Sequence, residues 1–133
     1  MEGFNIWAVV AAAASSFLLG GLWYSPLMFL KPWLKATGKE GMPREEAKHP
    51  IRVFGLSFLF ALVAAVVFAV IVGPKPPLDF ALGRGLMVGG GFVAACFGIN
   101  YQFADRGTPL WLIDGGYHIV QFLLYGLILG LWH

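Results

Sequence analysis

The chain has 133 residues, of which 59% are hydrophobic and only 12% charged, with a formal net charge of +2 and a mean hydropathy of +0.76. A water-soluble domain carries roughly twice that share of charge, so an ordinary soluble domain is excluded and nothing points to a nucleic-acid partner. The single Cys96 excludes an intramolecular disulfide and a cysteine metal cluster.

The apolar residues come in blocks, and a helix needs about 20 of them in a row to cross a hydrocarbon core. Four such blocks lie at about residues 4–25, 51–73, 80–103 and 110–132. Backbone amides in lipid must bond internally, and runs without period-two alternation indicate helices, not barrel strands. The expected fold class is therefore all-α: a polytopic membrane protein of four transmembrane helices with a short interfacial helix after the first. The whole chain, 1–133, forms one four-helix domain.

The first block begins "MEGFN", with Glu2 and no Lys or Arg. A cleaved signal peptide wants a basic start, so this segment is expected to be retained. Asn5, Ser16, Gly20 and Trp23 share one helical stripe, with Ser15 beside it, and hydroxyls so placed often bond the carbonyl one turn back. Trp23 and Tyr24 end the span at an aromatic-belt position.

A basic connection follows over residues 26–50. Ser25 and Pro26 suit an N-cap and first helical position, and Leu27, Phe29, Leu30, Trp33 and Leu34 then alternate with Lys31 and Lys35. This pattern predicts a short helix in the headgroup layer. "MPREEAKHP" has room for one or two further turns before Pro50.

The second span is uninterrupted, and the proline-rich "GPKPPLD" joins it to the third as a stiff hairpin. In the third span Arg84 either snorkels outward, pairs with Asp79, or marks an anion entrance. Gly85, Gly89, Cys96 and Asn100 share a stripe that lets another helix approach closely. Thr108 and Pro109 predict the cap of the last span.

Lys31, Lys35, Lys39, Arg44, Lys48, Arg52 and Arg106 fall on one side of this layout, Lys75 and Arg84 on the other. The positive-inside rule then puts the first and third connections in the cytoplasm and both termini outside. The basic loop suits anionic membrane lipid as a partner, for anchoring or for regulation. Gly85 with Gly89, and Gly126 with Gly130, form two GxxxG pairs. They serve either packing within one bundle or a homo-oligomer.

In the last span, Asp114, His118, Gln121, Tyr125 and Trp132 fall on one narrow stripe at 100° per residue, with Tyr117 adjoining it. Ionisable groups at such depths cost a few kcal/mol unless paired or wetted, so they are functional-site candidates by default. Asp114 and His118, four apart, can bond directly. That pair either relays protons or locks the helix structurally, and Asn100 lies at a depth that would join the cluster.

A metal or haem site has little to stand on: a tetrahedral site wants three or four ligands, and His49 and His133 sit in a loop and at the terminus. No metal and no cofactor are expected.

"LGGLWYSPLMFLKPWLK" at the end of the first span and "IDGGYHIVQFLLYGLILGLW" in the last resemble the domain-of-unknown-function 1761 family of small bacterial membrane proteins. Leu22 to Pro26, Lys31, Trp33 and Gly116 to His118 are the most recognisable positions. The resemblance implies a four-helix integral membrane protein of the bacterial cytoplasmic membrane and carries no activity. It links Trp23, Tyr24 and Ser25 with Tyr117 and His118 as one recurring pattern, so these residues are expected to support a shared pocket.

Three functions are compatible with this pattern. The first is an oligomeric transporter or channel-like protein with the last span lining a path. The second is an accessory or assembly subunit of a larger membrane complex. The third is a membrane enzyme acting on lipid or quinone, for which paired carboxylates and metal-ligand clusters are missing, leaving only Ser25 with Asp114 and His118 as a thin hydrolytic set. An enzyme is the less expected outcome.

Overall fold

The computed structural model describes residues 3–38 and 50–133, and the turn expected in "MPREEAKHP" lies outside the described residues. The described chain is helical: α1 (Ile6–Trp23), α2 (Leu30–Ala36), α3 (Pro50–Val72), α4 (Leu78–Leu86), a π-helical stretch (Met87–Ala94), α5 (Ala95–Phe103) and α6 (Thr108–Leu131). α4, the π stretch and α5 run on as one helix, so four helices are long and apolar enough to cross a membrane. The chain is a multi-pass membrane protein by that measure, with its spans where hydropathy placed them to within a few residues.

Local chemistry sets the ends. Asn5 caps α1, its side chain accepting the Ala8 amide at 3.2 Å. Gly73 takes a left-handed φ of 79° and closes α3 by bonding the Ala69 carbonyl at 2.9 Å, a conformation other residues adopt only with strain. Two predicted caps differ. Ser25 does not open the short helix; its hydroxyl turns back to the Leu22 carbonyl at 2.6 Å, and α2 starts only at Leu30 after a series of turns. Thr108 is the first helical residue of α6, with Gly107 at the cap position.

α6 is the hub, touching every other helix, while α3 leans on α1 and only brushes α4. Ala8, Ala12 and Ala13 of α1, Ala65, Phe68 and Ala69 of α3, and Phe122, Tyr125 and Leu129 of α6 form the buried core. The small alanines bring the backbones together, and the rings of Phe68, Phe122 and Tyr125 fill the space between, with centroids 5.2 to 6.3 Å apart. Without water to drive association, this close packing holds the helices.

Glycine takes the approach of α4 to α6 further. A Cβ on Gly85 would strike the Phe122 carbonyl, one on Gly126 the Ala81 carbonyl, and one on Gly130 would come within 2.9 Å of the Leu78 Cα. A Cβ on Gly89 would lie 2.8 Å from the His118 carbonyl oxygen. Of the two uses open to the GxxxG pairs, the structure shows the one inside a single chain.

The π stretch corrects the stripe read on the third span. A 3.6-residue period aligns Gly85 and Gly89 with Cys96 and Asn100, but i→i+5 bonding makes wider turns. The face lags by one residue across the stretch. Gly85 and Gly89 are buried against α6, yet Cys96 and Asn100 are exposed, and Phe97 and Tyr101 take their place. The run Gly89–Gly91 sits inside this stretch, where side chains that would hold an α-helical register are missing.

Arg84 pairs with no acid among the described residues; its guanidinium lies over the Phe80 ring, 4.7 Å from the centroid, and Asp79 stays exposed in the first turn of α4.

Candidate functional site

α6 rises 1.5 Å per residue, so His118 lies about 15 Å along a helix about 36 Å long, close to the middle of the span. The polar residues on this helix divide into two clusters, one on each side of Tyr117.

The first gathers around Asp114, half-buried near the Thr108 end of α6. Its carboxylate accepts the Tyr24 hydroxyl at 2.6 Å through one oxygen and the Tyr101 hydroxyl through the other. Tyr24 is placed by the end of α1, where its ring also meets the edge of Trp33 of α2 at 6.2 Å and the ring of Tyr117 at 5.7 Å. Trp23 donates its indole N–H to the Ile113 carbonyl at 2.9 Å. Trp111 donates to the Ala94 carbonyl at 2.8 Å, at the end of the π stretch.

The second cluster starts at His118. Its Nδ1 lies 2.6 Å from Gln121 Oε1. Gln121, buried, donates from Nε2 to the Tyr125 hydroxyl at 2.8 Å. The Tyr125 oxygen lies 3.1 Å from the Ala61 carbonyl of α3 and 3.4 Å from Ser16 Oγ of α1. Ser16 spends its own proton on the Ala13 carbonyl at 2.7 Å. Tyr117 reaches the Ser16 carbonyl at 2.8 Å, so α1 and α6 are tied twice at Ser16. No buried side-chain nitrogen or oxygen among the described residues lacks a partner, as the cost of an unmade bond in a dry interior requires.

The structure thus brings Asp114, Tyr24 and Trp23 together in one place, and His118, Gln121, Tyr125 and Tyr117 in the adjoining one. It does not bond Asp114 to His118, because phenols from two other helices occupy the carboxylate and Gln121 occupies the imidazole. Asn100 is exposed with no side-chain hydrogen bond among the described residues, one residue away from the position that Tyr101 fills. Ser25 stands outside both clusters, bonded to Leu22, so it forms no set with Asp114 and His118. Sequence reasoning missed Tyr101 and Ser16 as partners. The triple glycine that lets the third helix widen was the available signal for Tyr101.

Beside the second cluster, α3 and the Leu78–Phe103 helix diverge and leave a groove of about 440 Å³. Ser57, Phe60, Ala61 and Ala64 of α3 form one wall, and Val93 of the π stretch belongs to the other. Tyr117, His118, Gln121 and Phe122 of α6 form the floor. Phe97 and Tyr117 clamp the imidazole edge-on, each with its centroid 4.9 Å away. The size is within the usual range for small-ligand pockets, roughly 300–1,000 Å³.

A four-helix membrane bundle with a polar centre on its hub helix is the class that these features define. The chain belongs to the family described as "Protein of unknown function (DUF1761)", whose family model matches residues 7–130. No curated protein matches it, and no solved structure does.

Proposed function

We propose that this protein binds a membrane-soluble amphiphile in the groove between α3 and the Leu78–Phe103 helix, with the ligand's head at His118 and Gln121 and its chain in the bilayer. The single observation that carries the reading is a groove with walls that are apolar apart from Ser57 and a polar floor near the middle of the span. Polar floors at that depth are expensive and tend to mark ligand or ion sites.

The lysine and arginine distribution supports an orientation with the basic connection in the cytoplasm and both termini outside, and the family resemblance supports the bacterial cytoplasmic membrane. The Asp114 cluster then lies toward the cytoplasmic face and the groove beside it.

Transport along α6 within one chain has less support. The polar series from Asp114 ends at Tyr125, beyond which Leu129 and Gly130 pack against apolar residues. A pore between copies would need a surface other than the four glycines already spent within the chain.

The test is photocrosslinking of the full-length protein in phosphatidylcholine nanodiscs, using a long-chain amphiphile with a diazirine near its head. Labelling of the α3 segment around Phe60 and Ala64, lost in Ala64→Trp, which fills the groove, is the expected result. Uniform labelling of all lipid-facing helices, unchanged by Ala64→Trp, overturns the reading.

A further inference from the structure

The chemistry of the floor narrows the ligand. Gln121 is oriented by its neighbour: the Tyr125 hydroxyl faces two acceptors, the Ala61 carbonyl and Ser16 Oγ, and Ser16 has no proton to offer because Ala13 takes it. Tyr125 therefore donates to one of them and accepts from Gln121 Nε2. That fixes the amide, and Gln121 Oε1 is left as an acceptor turned to His118. An imidazole facing an acceptor through Nδ1 must carry its proton there. In the neutral ring, the form favoured at a depth where an ionised group costs a few kcal/mol, Nε2 then holds a lone pair; it has no hydrogen bond among the described residues and is not sealed inside the bundle. The groove floor presents an acceptor.

The walls add a second constraint. None of the groove's lining side chains is charged, and a phosphate or carboxylate head placed among them would lack a counter-charge at a depth where ionised groups cost a few kcal/mol. A ligand made only of hydrocarbon would leave the imidazole nitrogen unsatisfied, which costs about as much as a lost hydrogen bond. A carbonyl head at His118 Nε2 would set acceptor against acceptor.

From these two constraints, and resting on the groove reading above, we infer that the ligand is an uncharged long-chain alcohol or phenol whose hydroxyl donates to His118 Nε2. The class includes reduced quinols, free prenols and diacylglycerols. It excludes oxidised quinones and the phosphorylated forms of the same chains. The inference concerns binding alone and moves no proton or electron.

The experiment uses the full chain in phosphatidylcholine nanodiscs and three probes that share one saturated chain and one diazirine: the alcohol, its methyl ether and its monophosphate ester. Competition against the labelled alcohol gives relative affinities on the unaltered protein. The alcohol is expected to bind about tenfold more tightly than the ether, the difference one donated hydrogen bond to a desolvated acceptor makes, and the phosphate more weakly than either. His118→Phe, which keeps a ring and removes the acceptor, should retain labelling in the groove and erase the alcohol–ether difference.

If alcohol and ether compete equally in the unaltered protein, the inference falls while the groove reading stands. The same holds if the phosphate binds best. If no probe labels α3 selectively, both fall. Should His118→Phe fail to fold, the three-probe comparison on the unaltered chain still decides the matter.

Discussion

From Phe122 to Gly130, α6 lies so close to α4 that a single added carbon would strike backbone. From Ile113 to Gln121 the same helix faces indoles, phenols and an open groove. Both regions use glycine and aromatic residues, but in opposite ways. In the first, Gly126 and Gly130 remove side chains so that van der Waals contact replaces the missing hydrophobic force. In the second, close contact persists only toward the π stretch, where Gly89 meets the His118 carbonyl; on the α1 side Gly116 makes room for the Trp23 ring, which a Cβ would approach at 3.1 Å, and directed hydrogen bonds tie the two helices. Close contact gives the bundle its rigidity, and the spaced region leaves room for a ligand.

The largest effect should come from filling the close contact. Gly85→Leu and Gly126→Leu both push a side chain into a carbonyl on the facing helix, with no flexible group to move aside. Each is expected to lower stability by about 3 kcal/mol or more, read as the midpoint of unfolding in mixed micelles. A loss below about 1 kcal/mol at either position would mean that α4 and α6 separate easily, and the contrast between the two regions would collapse.

The spaced region should respond less, and to chemistry instead of volume. Asp114→Asn keeps one acceptor oxygen and turns an NH2 toward the second phenol, which must then accept instead of donate, so both bonds lose the carboxylate's charge. Hydrogen bonds to charged groups contribute about 1.5–3 kcal/mol, and a loss of about 2 kcal/mol is expected. Tyr24→Phe and Tyr101→Phe should each cost about 1.5 kcal/mol. Unchanged stability in all three would show that water, not the phenols, satisfies the carboxylate.

Hydropathy made the four spans legible, because burial in lipid demands long apolar runs whatever the tertiary contacts are. The stripe on α6 was legible for the same reason: polar residues stand out there. Which groups would meet was another matter. Asp114 and His118 are close in sequence, but partners from α1 and α5 compete for the carboxylate and Gln121 for the imidazole, and periodicity says nothing about such competition. Asn100 was chosen by a 3.6-residue period carried through Met87–Ala94, where the helix does not keep it.

That miss yields a third prediction. If the π stretch accommodates one surplus residue, deleting Gly91, whose Cβ position is open to 4 Å, should let the helix run on in α register. Phe97 and Tyr101 would keep their places on the α6 face. The coupling between Tyr101 and Asp114, measured by a double-mutant cycle in the deleted background, is expected to persist at about 1 kcal/mol. Loss of the coupling would show that the wider turns, and not the surplus residue, aim Tyr101.

The smallest effect belongs to glycines that touch nothing. Gly21 and Gly55 have no atom within 4 Å of an added Cβ, and both lie inside helices. Alanine there restricts the unfolded chain without meeting an obstacle, so Gly21→Ala and Gly55→Ala should each stabilise by about 0.5 kcal/mol. Gly126→Ala should destabilise, so one substitution changes sign between an open and a closed face. A loss of stability at Gly21 or Gly55 would require something to be packed against that face in the membrane. The economical occupant is a second copy of the chain, so measuring these two variants at several protein-to-lipid ratios also asks whether the protein associates through a surface its own helices leave bare.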